Sequence, residues 1–584
     1  MKLFSNPFVR KVASVAVIFA ATFALYVNCW DNPFVLDDLT KIQQNPDLQV
    51  TSFNLSNFIF AYPEMTTQLH NDPSRPLVYI VYWLCWRYHA DSPAAFHVVS
   101  TVVHGTIAAL IVLITAELML QIFGFYSLLA GLIAGLLFVT SPLIAGTVVY
   151  AYGLSDVLSC FFILMAYYIL VRPSHSNRVR RIGRMVFVGL CFILALAAKQ
   201  SSVVLAPLVI GTDLMTRRAD RRLRIGEVYV PLVLIAVGYV IFRFAYFGAV
   251  GDLEGRGSTV KTFSYLLFQG AMILKYVKMT IFPSGFTIDH LYMPEDISIA
   301  MQLAAWAAII AVSGLAIRAM FRADSTPMSR WLSFGWLFFL FCLLPTSSFL
   351  PTVDMFVERR AYISDIGLFI LAGGAAVWMM RQSRTANVFT GALLAAALGA
   401  QVYVSLERSD VYASTEKLWQ ESLALDNLNL RARTNLAVHY SATKQFEKAR
   451  IALEELMAYD PKNGGIYSKL GYVYMQPDYE HHDDAKAWTY MERSLQLLPD
   501  NIFALYNGGV LLLKHGSFAQ SEKLLIHATE LNPLMAAAWL RAGEAALFQD
   551  KRTEAVIRFR KALDLNANQE DAKMYLRKMG VAEK

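Results

Sequence analysis

Charge is what this chain has least of. Lys, Arg, Asp and Glu make up 17% of its 584 residues, hydrophobic types make up 56%, and the mean hydropathy is +0.41. A soluble globular domain carries about 25% charged residues, so that class is excluded for the chain as a whole. Cysteine is scarce too: there are five, with Cys160, Cys191 and Cys342 inside apolar runs. An odd, scattered set gives neither a disulfide framework nor a zinc site; a Cys29–Cys85 bridge is the alternative left open. The net charge of +7 is not gathered into a basic stripe interleaved with aromatics, so no nucleic-acid partner is expected.

What the chain has instead is apolar runs near the ~20 residues that a membrane-spanning helix needs. Basic residues favour the cytoplasmic side, and Arg10 and Lys11 put the N-terminus there. The first run, about 12–29, reads as a retained signal anchor: it is longer than a signal-peptide core, and no A-x-A site precedes Trp30. Further spans are predicted at about 94–118, 125–141, 146–171, 185–198, 201–212, 228–248, 299–319, 331–350, 361–380 and 387–405, about 11 in all. The basic loops VRPSHSNRVRRIGR, TRRADRRLR, IRAMFRADSTPMSR and RQSRT then all face the cytoplasm. Two stretches are not counted as crossings. RPLVYIVYWLCWRYHA is amphipathic and aromatic and reads as interfacial. Residues 261–283 carry Lys275 and Lys278 and read as interfacial or re-entrant, since counting them would reverse every later loop.

The loop after the first span, WDNPFVLDDLTKIQQNPDL, places the adjacent carboxylates Asp37 and Asp38 close to hydrocarbon on the outer face. Such a pair is costly unless it is solvated or used. A solvated, cap-like turn is the competing reading, since Asp suits both turns and caps. His97 and His104 lie seven apart on one helix face and read as packed polar residues, because no further ligand shares that face.

Residues 408–584 differ in kind: they are polar, helical and repetitive. Pro461, Pro499 and Pro533 close comparable units, the last two 34 residues apart and the first interval lengthened to 38 around QPDYEHHDD. That period with this small–large spacing is the tetratricopeptide signature. It predicts about four helix pairs, with a partial unit at about 411–427, stacked around a concave groove that holds peptides or partner surfaces.

The ordered set FVLDDLTKIQQNPD, SRPLVYIVYWLCW, FHVVSTVVHG, FVTSPLIAGTVVYAYGLSDVLS, LAAKQSSVVLAPLVI, IFPSGFTIDH and LLPTSSFLPTVDMFVERRAYIS resembles the transmembrane and tetratricopeptide repeat-containing O-mannosyltransferases, from the first span through the repeats. The resemblance implies an all-α chain: a polytopic GT-C type glycosyltransferase domain over 1–407, then a tetratricopeptide α-solenoid over 408–584 on the non-cytoplasmic side. It implies transfer of a sugar, mannose in the family, from a polyprenyl-phosphate carrier to Ser or Thr hydroxyls of a polypeptide held by the repeat groove, with membrane lipid as a further partner. The chain departs from the family at Ser141-Pro142 and Gly146-Thr147 in place of His-Pro and Thr-Glu, at Leu154 in place of a basic residue before Asp156, and at Gln200 in place of Glu after Lys199. These departures leave open a glycan or lipid acceptor, or an inactive membrane-anchored scaffold. A short repeat array and compact loops suggest a bacterial inner membrane with the repeats in the periplasm; the endoplasmic reticulum with the repeats in the lumen is the alternative.

A polyprenyl phosphate leaves readily, so the reaction needs a base for the attacking hydroxyl and positive charge for the departing phosphate. By resemblance to the first acidic residue of GT-C sites, Asp37 is that base, and Asp38 positions the acceptor or the sugar; single displacement inverts the anomeric centre. Arg359 or Arg360 would hold the phosphate, with Lys199 as a second cation; lipid-headgroup anchoring is the competing role for the arginines. Arg75, Asp156, Glu358 and His290 are supporting candidates. Arg75 is balanced against holding the interfacial helix, and Asp289 and His290 against a solvated loop. No cofactor and no metal is expected, although paired Asp residues can bind a divalent ion and some GT-C enzymes use one.

Overall fold

The computed structural model describes residues 6–50, 52–59, 71–89, 92–173, 177–218, 220–248 and 260–582. Residues 1–5 before the signal anchor, residue 90 of the interfacial stretch, and 174–176 and 219 of two basic loops lie outside the described residues. Within them the chain is helical, without a strand.

Two compact units emerge, Met1–Leu425 and Asp426–Lys584. The expected boundary at 407/408 moves toward the C-terminus. The helix Arg384–Val411 runs through it, and the next helix, Thr415–Leu425, belongs to the first unit. Burial is the reason: Leu418 and Trp419 are enclosed, and Glu421 is paired with Arg408.

Among the described residues of the first unit, eight helices are long and apolar enough to cross a membrane, or nine with the pair Leu128–Thr140 and Pro142–Val149, bent by 61°. Two other expected spans are shorter apolar helices, Gln200–Met215 and Pro327–Leu343. The expected span at 146–171 is interrupted. Pro142 starts a short helix, the chain turns at Tyr150, and the long helix begins at Leu154. Proline suits a first helical turn and its predecessor avoids helical geometry, so Ser141 is a natural break. Thr262–Ile281 is a continuous helix and does not meet the length-and-apolarity test for a span.

Lipid provides no hydrophobic drive between helices, so close backbone approach matters. A methyl on Gly131 would lie 2.2 Å from the Val112 carbonyl oxygen, and one on Gly373 would lie 2.3 Å from that of Ala130. Leu128–Thr140 is thus clamped between Ala94–Phe123 and Ala361–Met380 through positions that only glycine fills. All five cysteines are free and buried, so the Cys29–Cys85 alternative falls away.

The second unit is a run of antiparallel pairs whose first helices begin at Leu430, Gly464, Ile502 and Ala536, closed by Glu570–Lys578. Asn429, Asn463 and Asn501 cap three of those first helices, each accepting a backbone N–H from the first turn. The longer interval after Gly464 is the turn at 475–483, between Gly464–Tyr474 and Asp484–Leu497.

Candidate active site

The loop after the first span is held by its second carboxylate. Asp38 is fully buried; its Oδ1 accepts the Tyr152 amide at 2.7 Å and its Oδ2 the Val35 amide at 3.2 Å. Both oxygens thus accept backbone amides and latch this loop to the Tyr150–Gly153 turn. Burial pushes the Asp38 carboxyl up to about 8, against the lowering effect of the Val35 and Tyr152 amides. Asp37 behaves in the opposite way. It is exposed, and its Oδ2 accepts the Tyr150 hydroxyl at 2.9 Å. Leu36, immediately before it, has φ 53°, a left-handed conformation costly for a leucine. The latch overcomes that strain and turns Asp37 outward.

The same turn gathers the cations. Arg75 is buried, pairs with Asp72 at 3.3 Å and donates to the Tyr152 hydroxyl at 3.5 Å. Lys199, where the helix Arg178–Ala198 ends, pairs with Asp156 at 2.5 Å, both side chains being buried. Burial pushes the Lys199 ammonium below its ordinary range; Asp156 opposes this, and Arg359 and Arg75 add to it. Arg359 lies within electrostatic reach of Asp156, Tyr150, Tyr152 and Asp37. Among the described residues its guanidinium makes no hydrogen bond or ion pair, although it lines a cavity of about 20 Å³ with Thr147, Tyr150 and Tyr412. Donors held near a cavity and left unspent can receive an anion.

Arg360 is different. Its guanidinium is spent on the Met355 carbonyl at 3.1 Å, the Thr352 hydroxyl at 2.9 Å and the Asp354 carbonyl at 2.8 Å. It folds the loop that precedes it, whereas Arg359 makes no such bonds among the described residues. Glu358 is a buried hub. Its Oε1 accepts the Thr287 amide at 2.7 Å and faces His290 Nε2 at 2.9 Å, and its Oε2 pairs with Arg408 at 2.9 Å. Burial of Asp289 and His290 removes the solvated-loop reading. Burial also pushes the His290 imidazole below its ordinary range, with Glu358 opposing. His97 faces the Asn32 carbonyl at 3.1 Å and His104 the Tyr362 hydroxyl at 2.8 Å, as packed polar residues do. Among the described residues no group of three or more His, Cys, Asp or Glu could hold a metal.

Asp37, Arg75, Asp156, Lys199 and Arg359, spread over most of the first unit's length, thus meet around one turn. Sequence reasoning missed its organisers, Tyr150 and Tyr152. Both stand inside the matched stretch VVYAYGLSD, but tyrosine in an apolar run gives no polar period. It missed Arg408 and Glu421 because both fall in 408–584, which the sequence assigns to the repeats.

No family model matches the chain. Among curated proteins it is 20% identical over 607 residues to the protein O-mannosyl-transferase TMTC3 of Mus musculus, covering 95% of this chain and 64% of that protein. It is 22% identical over 441 residues to the protein O-mannosyl-transferase F38B6.6 of Caenorhabditis elegans, covering 74% of this chain and 60% of that protein. Over most of its length this chain is thus similar to proteins named protein O-mannosyl-transferases. The aligned part spans somewhat less than two thirds of those relatives. Among solved structures it is similar to the tetratricopeptide protein YrrB at 19% identity, over 35% of this chain and 98% of that one, with a TM-score of 0.24; the repeat assignment here rests on the helix pairs themselves.

Proposed function

We propose that this membrane protein transfers mannose from a polyprenyl-phosphate carrier to Ser or Thr hydroxyls of polypeptides on the non-cytoplasmic face. The observation that carries the reading is the exposed Asp37 carboxylate within electrostatic reach of Arg359, a guanidinium with no partner among the described residues. Asp37 takes the proton of the acceptor hydroxyl as it attacks the anomeric carbon. Arg359 receives the charge that develops on the leaving phosphate, and Lys199, held by Asp156, adds to the positive field. Attack opposite the phosphate inverts the anomeric centre. An apolar groove of about 670 Å³ starts at Gln200, next to Lys199, and is walled by Val204, Tyr239, Phe341 and Phe349; it suits the carrier's hydrocarbon tail. The tetratricopeptide unit presents the acceptor chain. A bacterial inner membrane with periplasmic repeats is the compartment the compact loops favour, against the lumen of the endoplasmic reticulum.

The test is transfer in membranes supplied with polyprenyl-phosphate mannose, read as hexose on endogenous protein by mass spectrometry. The wild type should modify protein and Asp37→Asn should not, at equal expression. Modification undiminished in Asp37→Asn would remove Asp37 as the base. Absence of transfer by both, with partner proteins still retained by the repeats, would favour the scaffold reading that Leu154 and Gln200 suggest.

A further inference from the structure

A cluster of five arginines has no part in that chemistry. A cavity of about 620 Å³ is walled by Arg181, Arg184, Arg217, Arg218 and Arg224, faced by the carboxylates Asp220 and Glu227. Arg181 and Arg184 stand in the first turns of Arg178–Ala198, whereas Lys199 follows its last turn. The rise of the helix between these arginines and Lys199 puts the cavity ~25 Å from the end of the helix at which Lys199 joins the Asp37 site.

Most of the wall is held in place by neutral oxygens, which fix a guanidinium without cancelling its charge. Arg184 donates to the Pro173 and Arg172 carbonyls at 2.8 and 2.9 Å, and Arg218 to those of Leu170 and Val171 at 3.1 and 2.8 Å. Arg217 donates to the Ala323 carbonyl at 2.9 Å and the Ser325 hydroxyl at 2.8 Å. Ion pairs join Arg218 to Asp220 at 3.1 Å, Arg181 to Glu227 at 3.3 Å and Arg224 to Asp213 at 2.5 Å. Arg184 and Arg217 form no direct ion pair among the described residues, with Asp220 and Asp324 acting on them only at longer range. Arg224 is 3% exposed, and its buried Nη2 has no hydrogen-bond partner among the described residues. A buried charged donor left unused is costly unless a ligand accepts it. Leu223 lines the cavity and is more than half exposed, and Ile182, Val186 and Ile225, sequence neighbours of the lining residues Arg181, Met185 and Arg224, are more than half exposed too.

We propose that this cavity binds the phosphodiester headgroup of an anionic membrane lipid. The phosphate oxygens accept from Arg224 and are surrounded by the other guanidiniums, and the acyl chains lie along the exposed Ile182, Val186 and Ile225. The cavity is roomier than a bare phosphate requires and takes the glycerol as well. Basic pockets between spanning helices on the cytoplasmic side are a recurrent setting for such headgroups, and this end carries the loops that the charge rule assigns to that side.

The full chain, purified in detergent, is to be presented with equimolar phosphatidylglycerol and phosphatidylcholine and its retained lipid read by native mass spectrometry. Phosphatidylglycerol should be retained preferentially, and Arg224→Gln and Arg181→Gln should each reduce that preference about fivefold, the effect of one basic residue at a charged membrane surface. Arg181 is partly exposed, so Arg181→Gln should melt with the wild type in phosphatidylcholine alone and decides the question if Arg224→Gln does not fold. Equal retention of the two lipids, or a preference unchanged in Arg181→Gln, would overturn the proposal. Inorganic phosphate and glycerol 3-phosphate form the second arm: neither should displace phosphatidylglycerol, and displacement at low millimolar concentration would reassign the site to a soluble phosphate.

Discussion

At the scale of single residues, two adjacent aspartates have taken opposite roles through burial alone. Asp37 faces solvent beside Tyr150 and Arg359, so Asp37→Asn is expected to lower transfer by about 10²–10⁴-fold, the range for losing a general base, with the thermal melt unchanged. Arg359→Gln should lower kcat and raise KM for the carrier, cutting kcat/KM about tenfold or more, as a lost charge-assisted hydrogen bond does, and Arg359→Lys should restore only part of it. Arg360→Gln should lower the melting temperature instead and leave that KM alone, because its guanidinium serves the Thr352–Met355 loop. Asp38 gives a pH signature. Its carboxyl rises from an ordinary 3.8 to about 8 on folding, so the folded chain holds a proton that the unfolded chain releases in acid. The stability it contributes is present at low pH and lost as pH climbs through that window, at up to ~1.4 kcal/mol per pH unit. Melting temperature followed from pH 5 to pH 8 should fall in the wild type and fall less steeply in Asp38→Asn.

At the scale of elements, the site depends on how closely a few helices can pack. The Tyr150–Gly153 turn exists because Ser141-Pro142 breaks one helix and a second break follows at Tyr150; a methyl on Gly153 would lie 2.3 Å from the Thr147 carbonyl oxygen, so the turn is closed against the short helix before it. Gly131 separates cost from mere substitution. Gly131→Ala drives a methyl into the Val112 backbone and should destabilise by ~1–3 kcal/mol, as overpacking does. Gly399→Ala meets nothing within 4 Å and should be neutral or stabilising, because alanine is the better helix former. Thermal melts of the two variants in one detergent check the contrast, and equal behaviour would remove the packing argument.

At the scale of the whole molecule, the first unit ends at Leu425 rather than where the long Arg384–Val411 helix begins to turn polar. A fragment of 426–584 should therefore melt cooperatively as a helical monomer. A fragment of 408–584 carries Leu418, which packs in the first unit's core, and should associate or precipitate more readily. Size-exclusion chromatography and circular dichroism of the two fragments compare them directly.

The sequence by itself determined the class of every large element. Apolar runs of spanning length, a 34-residue period and the prolines that punctuate it are local patterns, and local patterns survive without tertiary contacts. It also determined that Asp37, Lys199 and Arg359 deserved notice, because charge beside hydrocarbon is expensive wherever it occurs. Only the tertiary structure decided which of the paired residues faces outward. Asp37 and Asp38 are chemically alike, as are Arg359 and Arg360. What separates them is whether a backbone amide or carbonyl from a distant or looped segment, Tyr152 in one case and Met355 and Asp354 in the other, arrives to use up the side chain. Long-range contacts of that kind leave no period in a sequence. The same holds for Arg408, whose partners Glu358 and Glu421 come together only when Arg384–Val411 and Thr415–Leu425 pack within the first unit.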